Sequence, residues 1–209
     1  KFRMKNRLQR INMLDCVIDL SHFNGSPDFS RVKAAGIEAV ILKASQGTAW
    51  IDPMFHRNLT NAITNNLLVG AYHFGTGDDA TIQANHFLSV AGSVPLKVLD
   101  FETNTSGQSM TAVQANEFIQ VVTSGKFPIL YADIGHIQQL AIFPLISQDC
   151  PLWIAQYKYE PEPHIPDNTW SKWTLWQYTD SGTVPGVNGK VDRSYFNGEI
   201  EDLQALFGL

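Results

Sequence analysis

Short apolar runs recur along this chain with helix-like stretches between most of them, and that alternation restricts the fold more than any other feature. The strand candidates are 16–20, 39–44, 68–73 and 97–102, followed by 128–132, 152–156, 174–178 and a short one at 190–192. Most are a few residues long and rich in Val, Ile, Leu and aromatics. Helix candidates lie at 28–35, opened by an acid and closed by Gly36, and at 53–65, with Pro53 in its first turn. Others follow at 80–91 and 111–123, with a short one at 135–141 and a last one at 199–206. Nearly continuous apolar strands alternating with helices argue for a parallel sheet covered by helices. After about residue 145 the pattern changes to strands, prolines and tryptophans with little helical periodicity. Eight strands with helices attached mainly to the first five predict a closed α/β barrel with an irregular last third. An open doubly wound sheet is the main rival, but no Gly-rich phosphate turn follows the first strand.

Length and charge narrow the class. The chain has 209 residues, 44% of them hydrophobic and 17% charged, which suffices for a buried core without a metal or disulfide staple. A net charge of -5 argues against nucleic acid as a partner. The charge is uneven: Lys1, Arg3, Lys5, Arg7 and Arg10 make residues 1–14 a basic arm ahead of a single barrel at 15–209. Such an arm can touch an anionic polymer or membrane; the plainer reading is a leader or cloning remnant. No apolar stretch follows it as in an export signal, and none approaches a membrane span, so stable membrane insertion is not expected. Cys16 and Cys150 each open an apolar run, where small buried thiols are at home, and both are expected to be free.

Reactive groups of such barrels sit at the C-terminal ends of the strands. Asp19 stands near the end of the first strand, Asp100 and Glu102 close the fourth, and Asp192 ends the eighth. In Asp100-Phe101-Glu102, residues i and i+2 of a strand share a face, so both carboxylates look into the barrel mouth and Phe101 looks to the helices. Two acids roughly 6–7 Å apart repel when both are charged, so one pKa rises and one acid keeps its proton near neutrality. A protonated acid beside an ionised one is what glycosidic cleavage needs: one donates to the leaving oxygen, the other stabilises or attacks the anomeric centre. A lone D-x-E is common, and strand-end acids from other parts of the chain strengthen it. So do the aromatics Trp153, Trp170, Trp173, Trp176, Tyr157, Tyr159 and Tyr178, since sugar rings stack on such faces. Trp170 and Trp173 are expected to be structural.

A series of short motifs, each weak alone, makes a specific pattern in this order. It runs V-I-D-L-S-H-F-N-G at 17–25, A-V-I-L-K-A-S-Q-G at 39–47, D-P-M-F at 52–55 and V-G-A-Y-H-F at 69–74. Gln83, Ala84 and Phe87 follow, then P-L-K-V-L-D-F-E at 95–102 and P-L-W-I-A-Q-Y at 151–157. W-Q-Y-T-D-S-G at 176–182 and V-D-R-S-Y-F-N-G at 191–198 complete it. From Val17 to Phe196 the chain resembles glycoside hydrolase family 25, the Chalaropsis-type lysozymes of bacteria, fungi and bacteriophages. The resemblance implies a TIM-like α/β barrel of five βα units followed by three strands with little helix. It implies an N-acetylmuramidase that hydrolyses the β-1,4 bond between N-acetylmuramic acid and N-acetylglucosamine, with bacterial peptidoglycan as partner and no cofactor or metal. By motif position Glu102 matches the general acid and Asp100 its partner, which stabilises charge or orients the substrate N-acetyl group. Asp19 and Asp192 match flanking acids, and Tyr72, Trp153, Gln156, Tyr157, Gln177 and Tyr178 match positions lining the groove. His73 neighbours Tyr72, points the other way on a regular strand and is expected to be structural.

The chain departs from the family pattern at two places. Ser45 and Gln46 stand where threonine and glutamate are usual, so position 46 keeps hydrogen bonds and loses a charge. Arg193 replaces an apolar residue and could bring a positive charge beside Asp192. Two other readings are a barrel that binds carbohydrate without turnover and a metal-dependent hydrolase using Asp15, Asp19, His22 and His73. The intact acids argue against the first, and the absence of ligand spacing argues against the second. A monomeric bacteriophage endolysin is the expected context, made in the host cytoplasm and acting at the wall; a secreted bacterial enzyme is the alternative.

Overall fold

The described residues form nine strands: β1 (Met13–Leu20), β2 (Ala39–Gln46), β3 (Trp50–Ile51), β4 (Leu68–Phe74), β5 (Leu96–Asp100), β6 (Ile129–Asp133), β7 (Leu152–Ala155), β8 (Leu175–Gly182) and β9 (Val191–Asn197). The structure is a computed structural model, and it describes residues 13–143, 146, 149–157 and 161–209. Tyr159 and all of the basic arm before Met13 lie outside the described residues. Pairing runs β1-β9-β8-β7-β6-β5-β4-β2, and β1 then pairs with β2, closing an eight-stranded barrel. The two-residue β3, not foreseen from sequence, hangs antiparallel on the end of β2.

Alternation along the strands builds two cores. Val17, Ile41, Val98, Ile129, Leu175 and Phe196 form the inner one, and Leu203 and Phe207 join it from the C-terminal segment. Ile18, Val40, Leu42, Leu99, Leu130 and Ile154 belong to the outer one. Helices α1 (Phe29–Ala34), α2 (Phe55–Thr64), α3 (Ala80–Ala91), α4 (Ala112–Val122) and α5 (Ile134–Leu140) add Phe29, Phe55, Phe87, Phe118 and Ile137 to that outer layer. Each buried phenylalanine contributes about 1.5–3 kcal/mol over an exposed one. The helices start where side chains cap free N–H groups: Asp28 accepts from Ser30 and Arg31, Asp79 from Ile82, Thr111 from Gln114 and Asp133 from His136. Helix α2 begins at Phe55 rather than Pro53, because Asp52 accepts the N–H groups of His22 and Met54 and holds the chain in a turn. The last helix, α6 (Ile200–Leu206), follows β9.

One expectation needs correcting. The sheet is not all parallel: β9 runs antiparallel to both β8 and β1. Residues 183–190 that join β8 to β9 are too few for a parallel crossover, which takes roughly a dozen or more. The strand is also longer than the 190–192 read from sequence, because Arg193, Ser194 and Asn197 disguise its apolar alternation.

In that connection Gly186 has φ +99°, and a Cβ there would collide with the Asp28 carbonyl oxygen. Its own carbonyl accepts the Asp28 N–H at 2.8 Å. Gly186→Ala is expected to cost at least about 2 kcal/mol, combining left-handed backbone strain with a clash against main chain. Thermal unfolding of the purified variant measures it.

Candidate active site

The mouth of the barrel is built from strand ends. Asp19 lies near the end of β1, Tyr72 near that of β4, Asp100 closes β5, and Glu102 follows two residues later. Asp192 stands at the beginning of β9, and the antiparallel course of that strand brings its start to the mouth. It is the Cα partner of Asp19. These five residues, with Val98, Tyr131, Trp153 and Gln177, line a cleft of about 400 Å³.

The acids are held in a dry setting. Asp19 and Asp100 are 9% and 8% exposed, and Glu102 is half-buried. Burial is the first cause pushing all four carboxyl groups above their ordinary pKa. Repulsion by Asp192 adds to the shift at Asp19, and repulsion by Glu102 adds to that at Asp100. Asp19 and Asp192 also hydrogen-bond, which favours the proton on Asp19 and the charge on Asp192. Asp100 Oδ1 is buried without a hydrogen-bond partner among the described residues. For Glu102 the opposing pull comes first from His136 and then from Lys43. The cluster therefore retains protons at pH values where exposed carboxyls have lost theirs.

A hydrogen-bond chain fixes one wall. Gln177 Nε2 donates to Asp19 Oδ2 at 2.9 Å, while Gln177 Oε1 accepts from the hydroxyls of Tyr131 at 2.8 Å and Tyr157 at 2.5 Å. On the same wall, from β7 between β6 and β8, Trp153 Nε1 donates to Ser194 Oγ at 3.0 Å, and its ring meets Tyr131 edge-on with centroids 4.9 Å apart. Locked aromatic faces beside fixed polar groups suit a ring-shaped polar ligand.

Of the residues expected from sequence, Glu102, Asp100, Asp19, Asp192, Tyr72, Trp153 and Gln177 line the cleft together. Tyr157 is half-exposed and reaches the site through its hydroxyl, which donates to Gln177. Gln156 and Tyr178 do not line it, which corrects the expectation for both. Each follows an inward residue, Ala155 or Gln177, and so turns its side chain the other way. Gln156 Oε1 accepts the His164 N–H at 2.8 Å, and Tyr178 packs on Tyr195 and donates to Asp15. Arg193 likewise turns outward and pairs with Asp15 at 2.8 Å, so it brings no charge to Asp192. Trp170 and Trp173 are buried in the outer core.

The residues of the metal-ligand reading are dispersed. Asp15 is engaged with Tyr178 and Arg193, and His22 Nδ1 pairs with Asp52 at 2.9 Å. His73 lies in the helical layer between Phe87 and Phe118, bonded to Ser45 and Gln83. Burial lowers its pKa to about 3 and keeps the ring neutral. Both cysteines are free and buried, with burial raising each thiol to about 12.

Sequence reasoning missed Tyr131 and Lys43. The first has a readable signal, an inward position two residues after Ile129 near the end of β6. The second is a lone cation inside the apolar run A-V-I-L-K-A. Its Nζ lies 4.8 Å from the ring centroid of Phe74, 5.4 Å from that of Trp50 and 5.9 Å from that of Tyr72.

Comparison with known proteins bears on this cleft. The family model described as Glycosyl hydrolases family 25 matches residues 18–187. Lysozyme M1 of Streptomyces globisporus is 32% identical over 208 residues, spanning 90% of this chain and 70% of that protein. The bacterial lysozyme from Streptomyces coelicolor superposes with a TM-score of 0.83 at 33% identity, covering 91% of this chain and 95% of that one. A family GH25 lysozyme from Aspergillus fumigatus gives a TM-score of 0.81 at 26% identity, covering 94% and 99%.

Proposed function

The chain belongs to glycosyl hydrolases family 25, and from that premise we propose how it works as a lysozyme. It is a peptidoglycan hydrolase, an N-acetylmuramidase cleaving the β-1,4 bond between N-acetylmuramic acid and N-acetylglucosamine. The observation that carries the reading is the convergence of four burial-shifted carboxyls on one aromatic-walled cleft.

Glu102 is the general acid. It stands beyond the end of β5, less buried than Asp100, where a leaving oxygen can approach from solvent. Burial raises its pKa, which favours the protonated form that donation requires. Asp100 sits deeper, and its partnerless Oδ1 is free to face the sugar. As an anion it stabilises positive charge developing at the anomeric carbon or orients the N-acetyl group. Asp192, assisted by the proton on Asp19, adds negative potential, while Gln177 prevents Asp19 from turning away. Tyr72, Tyr131 and Trp153 supply the stacking faces. The cleft is complete within one chain, which supports action as a monomer.

The substrate places the enzyme at the bacterial wall, reached by secretion or, in a phage, after the host membrane is breached. Among the described residues no helix is long and apolar enough to cross a membrane. Digestion of purified peptidoglycan followed by mass spectrometry tests the reaction. Fragments with reducing-end muramic acid are expected; reducing-end glucosamine or freed peptides would sink the reading.

A further inference from the structure

Lys43 lies in β2 as the Cα partner of Tyr72 in β4, and Tyr72 lines the catalytic cleft. One strand further, Phe74 pairs with Asp100. The ring nearest the ammonium is that same Phe74, so the cation stands one strand pair from the deeper carboxylate. Phe74, Trp50 and Tyr72 attract the cation through their ring faces but carry no compensating charge. Its side-chain hydrogen bond goes to Gln46 Oε1 at 2.9 Å, a neutral acceptor. Among the described residues Lys43 forms no salt bridge within 4.0 Å.

Resting on the muramidase reading, we propose that Lys43 is a positioning residue whose charge, left unneutralised by Gln46, holds Asp100 ionised and so leaves the proton on Glu102. The groups that face it support the bias. Burial lowers the Lys43 pKa, and among the acids that oppose this Asp100 comes first, Asp52 second and Glu102 third. Asp52 is already engaged by His22 and by the Met54 N–H. Burial first and Glu102 second push Asp100 the other way, toward its protonated form; Lys43 is the cation that opposes them, and Asp19 and Asp192 add smaller pushes. His136 faces Glu102, and His73, on the far face of β4, stays neutral. A fixed cation beside the deeper acid breaks the near-equivalence of two carboxyls in one dry pocket.

The test is the pH dependence of kcat/KM on peptidoglycan for the parent, Lys43→Met, Lys43→Arg and Gln46→Glu. The acidic limb reports the pH below which Asp100 is protonated. Removing the positive charge raises that pKa, so Lys43→Met is expected to move the limb to higher pH by about one unit, roughly a tenfold loss on the limb. Lys43→Arg is expected to restore it. Gln46→Glu, which leaves Lys43 in place and adds a counter-charge, is expected to move the limb the same way by a smaller amount. If the parent is active and Gln46→Glu keeps the parental limb, or Lys43→Arg fails to recover what Lys43→Met lost, the proposal is overturned and the muramidase reading stands. Gln46→Glu decides the matter even if Lys43→Met does not fold. A parent that releases no reducing-end muramic acid overturns the underlying reading itself.

Discussion

Glu102→Gln is expected to lower turnover on peptidoglycan by about 10³-fold, within the range removed with a general acid, while the protein stays folded. The amide keeps the size of the side chain but has no proton to give at the pH of the reaction. The fold does not depend on Glu102: it is half-buried, lies two residues past the end of β5 and is not part of either core. Circular dichroism and thermal unfolding should match the parent, and binding of glycan fragments should survive. A variant that clears peptidoglycan at the parental rate would remove Glu102 from its role.

Asp100→Asn is expected to separate activity from stability in opposite directions. Turnover should fall by roughly 10²-fold or more, because a neutral amide cannot balance positive charge at the anomeric centre. Stability at pH 7 should rise. Burial and repulsion from Glu102 lift the folded-state pKa of Asp100 above its unfolded value. A raised carboxyl favours the folded state while protonated, and that advantage is lost as pH climbs from the ordinary range near 3.9 through the raised value. Wherever Asp100 is ionised the wild-type protein carries that cost, and the asparagine variant carries none of it. A gain of about 1 kcal/mol would raise Tm by about 3 °C in a chain of this size. Below about pH 4 both residues are neutral and the two melting curves should converge. Melting temperatures across pH 3–8 (an order-of-magnitude window set by the ordinary carboxyl range) check the sign, and equal Tm values at every pH would show that Asp100 stores no such strain. This is the exchange of stability for activity expected of acids gathered in a dry cleft.

Much of the site was legible because strands obey a rule of two. The sequence alone puts Asp100 and Glu102 on one face, Phe101 on the other, and His73 opposite Tyr72. The structure has Phe101 in the outer core and His73 between Phe87 and Phe118. At Gln156 and Tyr178 motif position points to the groove, while the same rule turns both away from the cleft. Arg193 is the same case: adjacent to Asp192 in the chain, it spends its charge on Asp15 outside the barrel.

Tyr131, Lys43 and the direction of β9 needed three dimensions. A tyrosine in an apolar strand reads as core until its hydroxyl is seen on Gln177. A lysine there reads as an anomaly until the rings around it and the acids beyond them are placed.

What the sequence determines by itself is local and periodic: apolar alternation, helix caps, a pair of acids two residues apart, and a train of motifs marking the family. What the tertiary structure decides is which ends meet. Asp192 starts its strand where the other acids end theirs, and it faces Asp19 because β9 turns back against the barrel. The linear chain carries no sign of that reversal beyond a connection too short for a crossover. The raised pKa values follow from the same closure, since desolvation and charge repulsion exist only once distant strands have enclosed the four carboxyls in one cleft.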